Sequence, residues 1–136
     1  MSQTVAVLNS RSELETQISR AMIRFEKEYM GRGPLETKTY VLDDMVVIRL
    51  KDVLTPAERK LIETQRDRSA YLVKQARNEL LAAARPMLEA VVHDITGAPV
   101  QSVHTDISTR TGERVIVVTL KRKLFSPRDS GDDVIC

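Results

Sequence analysis

From Ser12 onward apolar residues return every three or four positions. Leu14, Ile18, Ala21, Met22, Phe25 and Tyr29 fall on one face, the spacing of a helix packed against a core. Ser12 is a suitable N-cap, with Glu15 three residues later as in a capping box. Gly31-Arg32-Gly33-Pro34 ends the helix, because glycine takes the left-handed cap and proline cannot continue. Two strands then follow. LETKTYVL, residues 35–42, alternates. MVVIRL, residues 45–50, is rich in β-branched side chains. Asp43-Asp44 between them predicts a hairpin with a tight turn.

LTPAE, residues 54–58, is a second helix start: Thr55 caps, Pro56 takes the first helical position and Glu58 completes the box. It predicts a connecting helix over about 55–65. QRDRS, residues 65–69, contains no apolar residue, and the chain either breaks there, with Asp67 or Ser69 recapping, or continues. Beyond it Leu72, Val73, Ala76, Leu80, Ala83, Ala84, Met87, Val91 and Ile95 keep helical spacing. Pro86 lies inside this run, where it is expected to kink the helix. Thr96-Gly97-Ala98-Pro99 is the stop. Residues 100–108 and 114–121 read as paired strands, with Thr111-Gly112 at their connection.

The two halves resemble each other. Aligning Pro34 with Pro99 sets PLETKT on PVQSVH, and VVIRLK (46–51) matches IVVTLK (116–121), with Val47 on Val117, Leu50 on Leu120 and Lys51 on Lys121. Each block is a helix, a Gly-Pro stop, a strand, a turn and a strand. The expectation is an α+β two-layer sandwich: αββ units over about 12–51 and 68–123 that form one four-stranded antiparallel sheet with helices on one face. Residues 1–10 and 125–136 read as flexible tails around a single domain, 11–124. Alternation puts Val46, Ile48 and Leu50 on one face with Ile116, Val118 and Leu120. Met45, Val47, Val115 and Val117 point the other way. That second face is partly apolar and left uncovered, which favours a partner, as a homodimer or a docking surface, over the alternative that the long helix or the tails fold across it.

Composition narrows the classes. The chain has 136 residues, 42% hydrophobic and 29% charged, enough to bury a core without disulfides or a structural metal. Aromatics are 4% and Trp is absent, so few rings are available for base stacking. A net charge of +2 is only mildly basic. The lone Cys136 excludes an intramolecular disulfide and a thiolate zinc cage. With no signal peptide and no apolar run of about 20 residues, a cytoplasmic protein without a membrane span is expected.

The candidate chemistry is thin. His93, and His104 with Asp106, match no metal-ligand spacing, and neither metal nor cofactor is expected. Asp43-Asp44 is preferred as a turn over an acid–base pair. No phosphate loop, nucleophile elbow or Cys/His pair occurs, so an enzyme is the least favoured class. Arg59, Lys60, Arg66, Arg68, Lys74 and Arg77 make the helical middle basic, and the first four, with the later cluster Lys121, Arg122 and Lys123, form a candidate basic surface for nucleic acid. Interleaved Glu58, Glu63 and Asp67 favour a solvated face instead. Ser108, Thr109, Arg110 and Arg114 form a candidate anion or ligand loop at the second hairpin's tip. A solvated loop with Gly112 at positive φ is the preferred alternative.

The run EKEYMGRGPLETKTYVLDDMVVIRLKDVLTPAERKLIE, residues 26–63, resembles the MpsC-domain family, named for a Na+-translocating membrane potential-generating system. The shared signs are the helix ending in GRGP, the DDM turn and the LTPAE helix start, with ITGAPVQSVHTDISTRTGERVIVVTL (95–120) resembling the family's second hairpin half. The resemblance spans roughly residues 12–123. It implies a small bacterial cytosolic protein, with no catalytic residue to carry over and a link by name to a membrane ion-translocating system. Lacking a span, the chain fits an accessory or regulatory subunit and not the translocator. The combined expectation is a non-enzymatic protein acting through protein contacts. The alternatives are a nucleic-acid module using the basic helical middle and a small-anion sensor at residues 108–114.

Overall fold

The computed structural model describes residues 10–125, with the side chains of residues 65 and 66 left out. The segments expected to be flexible, 1–9 and 126–136, lie outside the described residues. The elements are α1 (Arg11–Tyr29), β1 (Glu36–Leu42), β2 (Met45–Lys51), α2 (Pro56–Thr96), β3 (Val100–Ile107) and β4 (Arg114–Leu120). The strands form one antiparallel sheet in the order β1-β2-β4-β3. The fold is α+β, as the pattern predicts.

The two hairpins meet along β2 and β4. Val47 lies opposite Val117, Val46 opposite Val118 and Ile48 opposite Ile116. Val47 and Val117 are the residues that the internal alignment equates, so the pairing is the one a two-fold relation between the hairpins produces.

One core joins the sheet to the helices. Val46, Ile48, Leu50, Ile116, Val118 and Leu120 are buried against Leu14, Ile18, Met22 and Phe25 of α1 and Val73, Leu81, Leu88 and Val92 of α2. Each such side chain contributes about 1.5–3 kcal/mol on burial. The phase of α2 differs from the expected one by about one residue. Leu72, Leu80 and Met87 are half exposed, and the buried stripe runs through Val73, Arg77, Leu81, Leu88 and Val92. Arg77 in the middle of the true stripe interrupts its apolar pattern, so the neighbouring stripe reads as the stronger one.

Caps explain the helix ends. The N-cap of α1 is Ser10, closing a box with Glu13, and not Ser12 with Glu15. The displaced Glu15 accepts the Val41 backbone N–H at 2.8 Å, and Arg11 donates to the Val41 carbonyl at 2.9 Å. Ser19 and Thr39 share a further hydrogen bond at 2.7 Å. Thus α1 covers the outer edge of β1. Thr55 caps α2 with Glu58, as expected, and Gly97 ends it with φ +75.

Pro56–Thr96 is helical throughout, through Pro86 and across the break left open at 65–69. The helix is nevertheless not straight. Arg77 binds Glu58 through two hydrogen bonds, at 2.9 and 2.6 Å. In a straight helix these residues are about 28 Å apart, about twice what two extended side chains and a hydrogen bond span. The helix axis therefore folds back between Glu58 and Arg77. The polar run 65–69 falls inside that interval.

Candidate functional site

The first candidate is the sheet face turned away from the helices. Alternation along the register puts Tyr40, Leu42, Met45, Val47, Val115 and Val117 on it. Tyr40 is 44% and Leu42 50% exposed, and the other four are partly buried. Among the described residues no helix covers this face. Its rim pairs its own charges. Glu36 meets Lys51 at 3.3 Å and Lys38 at 3.8 Å, and Arg49 pairs with Glu113. The Lys51 hydrogen bond holds the Glu36 carboxyl below the usual range, and the Glu113 hydrogen bond raises Arg49. The result is an apolar patch inside a rim of mixed charge, three cations against two carboxylates.

The second candidate lies beneath the helices. Glu26, Arg77 and Arg114 are buried to 2% exposure or less. Arg77 reaches the Val53 carbonyl at 2.9 Å besides Glu58, and its third nitrogen lies 3.8 Å from Glu26. Arg114 donates to the Thr105 hydroxyl at 3.0 Å and approaches the Arg77 carbonyl at 3.5 Å. Burial pushes the Glu26 carboxyl up, against the pull of Arg114 and Arg77. Burial also lowers Arg114, although a guanidinium keeps its proton in proteins. At Glu58 burial works upward, but the hydrogen bonds from Arg77 and Thr55 prevail and its pKa is lowered. Two cations and two carboxylates thus tie α1, both arms of α2 and β4 together.

The predicted ligand loop divides. Arg114 turns inward to this network. Ser108, Thr109 and Arg110 remain at the surface, beside a cleft of about 430 Å3 lined also by Lys74, Asp106 and Glu113. Four of the loop's backbone donors are engaged internally: Ser108 to the Glu113 carbonyl, Gly112 to the Ser108 carbonyl, Thr111 to the Ser108 hydroxyl and Glu113 to the Thr111 hydroxyl. Gly112, at φ +76, lends its carbonyl to the Val53 N–H, and a Cβ there would lie 2.9 Å from an Arg59 nitrogen. The longer second hairpin therefore clasps the start of α2.

The basic residues do not gather. Arg59 pairs with Asp52, Arg122 donates to the Gly97 carbonyl at 2.8 Å, and Lys60, Arg68, Lys121 and Lys123 are exposed. The Arg66 side chain lies outside the described residues. His104 rests on Ser102 at 3.0 Å, and Asp106 is held below its usual range chiefly by Lys74, 3.0 Å away. Asp43, at φ 51, and Asp44 form the turn between β1 and β2, and their carbonyls accept the Leu124 and Leu120 N–H groups. Among the described residues no group of three or more His, Cys, Asp or Glu is placed to hold a metal.

Reasoning from the sequence alone missed the buried network. The signal was parity: Arg114 alternates in step with Ile116, Val118 and Leu120, and Arg77 falls four residues from both Val73 and Leu81.

Comparison with known proteins bears on the whole unit. The family described as the Na+-translocating membrane potential-generating system (MpsC) matches over residues 10–122. An uncharacterized protein of Bacillus subtilis (strain 168), YbcI, is 40% identical over 111 residues, covering 82% of this chain and 88% of its own length. No solved structure matches. No described helix is long and apolar enough to cross a membrane. The match takes in every helix and strand described above, and the chain belongs to the MpsC family.

Proposed function

We propose that this is a non-enzymatic accessory or regulatory protein of the cytoplasm that works through protein–protein contacts, with a second copy of the chain as its first partner. The reading rests on the uncovered sheet face. Its centre is apolar and its rim carries both signs, with Lys38, Lys51 and Arg49 set against Glu36 and Glu113, so it offers little net charge to an oppositely charged partner. An apolar patch with so little net charge suits a copy of itself. The family description supports a link to a membrane ion-translocating system, in which a chain of this kind is an attached subunit and not the conduit. A duplicated αββ unit is the origin we infer for the sheet.

Light scattering coupled to size exclusion tests the self-association. Val47→Lys together with Val117→Lys is expected to halve the mass of the wild-type particle while leaving its thermal midpoint within a few degrees. An unchanged mass at micromolar concentration overturns docking through this face.

A further inference from the structure

We infer that the bent helix α2 is an exchange hinge, through which two copies of the chain trade their N-terminal αββ units. The bend between Glu58 and Arg77 falls across the polar run 65–69, with Asp67 and the buried Ser69, and not at a strong helix breaker. Sharp kinks sit at Pro, Gly or π-bulges, yet the interval has neither Pro nor Gly. The strongest helix breaker in α2, Pro86, lies beyond it. Most residues of the interval favour a continuous helix. Local preference and chain path therefore conflict, and a straight Pro56–Thr96 helix of about 60 Å would resolve the conflict.

The short arm is weakly attached. From Pro56 to Arg68 no described residue is buried, and Ile62 is the one apolar side chain packed on the core. Polar contacts hold the arm, chiefly Glu58 with Arg77 and Arg59 with Asp52. Straightening forfeits little apolar burial in the arm itself. The larger β2–β4 seam and the α1 contacts would be remade with the second copy, as domain exchange requires.

The residue spacing fits that second copy. In an antiparallel pair of straight helices, Glu58 faces Arg77 of the other copy when the pair is centred between residues 67 and 68. Leu61 and Leu72, 44% and 50% exposed in the closed chain, lie about 100° around the straight helix from the Glu58–Arg77 face and stay at its surface. This pairing does not depend on docking through the open sheet face, and the two can fail separately.

A disulfide across the seam distinguishes exchanged from closed chains. Val46 and Val118 are paired, buried and turned away from the open face, so a partner docked on that face cannot reach them. The variant carries Val46→Cys and Val118→Cys, with Cys136→Ser removing the native thiol. After refolding at high concentration and oxidation, the expected product on a non-reducing denaturing gel is a covalent dimer that reduction returns to monomer. A linked product of monomer size overturns the exchange. Wild-type mass gives an independent reading, and a monomer at all concentrations after refolding also overturns it. Asp67→Pro, which opposes a straight helix, is expected to lower the dimer fraction at least tenfold with cooperative unfolding retained. A dimer fraction unchanged by Asp67→Pro counts against the hinge. Loss of mass by Val47→Lys with the covalent dimer intact would separate face docking from exchange.

Discussion

The two faces of the sheet differ in an unexpected direction. The face under the helices encloses Arg114 beside Arg77 and Glu26, while the face without helices presents Val47, Val115 and Val117. Burying charges in the core adds little net stability, because desolvation offsets most of the attraction. What the charges supply is geometry. Arg77 bonds Glu58 and the Val53 carbonyl at once, so it fixes where the short arm of α2 lies. Valines on the open face fix no geometry within the chain. Orientation is specified inside the molecule, and adhesion is displayed outside it.

The strongest way to break this contrast is to strip a charge from the covered face. Arg77→Ala leaves Glu58 without its cation and Glu26 with Arg114 alone, and should reduce stability by about 3–5 kcal/mol, read from urea unfolding. Replacing a pair sharpens the point. Arg114→Met with Glu26→Leu removes opposite charges together and leaves Arg77 on Glu58. Its loss should fall well below that of Arg114→Ala alone, which shows whether the core needs the charges or only their volume. Gly112→Ala comes next. The left-handed backbone and the Arg59 contact together should lower stability by about 1–2 kcal/mol, loosening the clasp on Val53 without touching either face.

A pH series separates the carboxylates. The Glu58 carboxyl is held below its ordinary range in the folded chain, so the folded state binds that proton more weakly than the unfolded state. Its stabilisation is present above the unfolded pKa and fades as pH falls through the folded value. Glu58→Gln should therefore flatten the acid side of a stability profile. Glu26 has the opposite sign: its raised pKa favours the folded state below the unfolded pKa, and that advantage is lost as pH rises through the folded value. Glu26→Gln should not flatten the acid limb. The smallest effect on stability belongs to the open face. Val47→Lys should change the unfolding free energy by under about 0.5 kcal/mol, and a large loss there would mean that the face is needed for folding.

Strand identity and pairing were readable from the sequence because alternation in MVVIRL and RVIVVTL sets both period and face. The helix start at Thr55 was readable because cap, proline and glutamate agree. The start of α1 was not, since Ser10-x-x-Glu13 and Ser12-x-x-Glu15 are overlapping capping boxes and tertiary contacts decide between them. Glu15 is needed on the β1 edge. Arg77 and Arg114 were assigned by residue type and not by phase. Parity would have placed both in the core, but charged residues are so rarely buried that type outweighs position. The bend in α2 has no Pro or Gly to announce it, and the polar run 65–69 is its one sign in the sequence. The structure shows it through Arg77, which reaches both Glu58 and the Val53 carbonyl.

The clamp that Arg11 and Glu15 place on Val41 bears on how far the chain can polymerise. An indefinite ribbon of sheets needs each copy to offer two free edges, one to accept and one to extend. Here α1 has taken the outward backbone groups of Val41, so a copy joining through β3 meets on its far side a margin already engaged at that residue. A further strand would have to displace α1 there first. The molecule carries its own stop against fibre growth, and deleting the first turn of α1 is the change that would remove it.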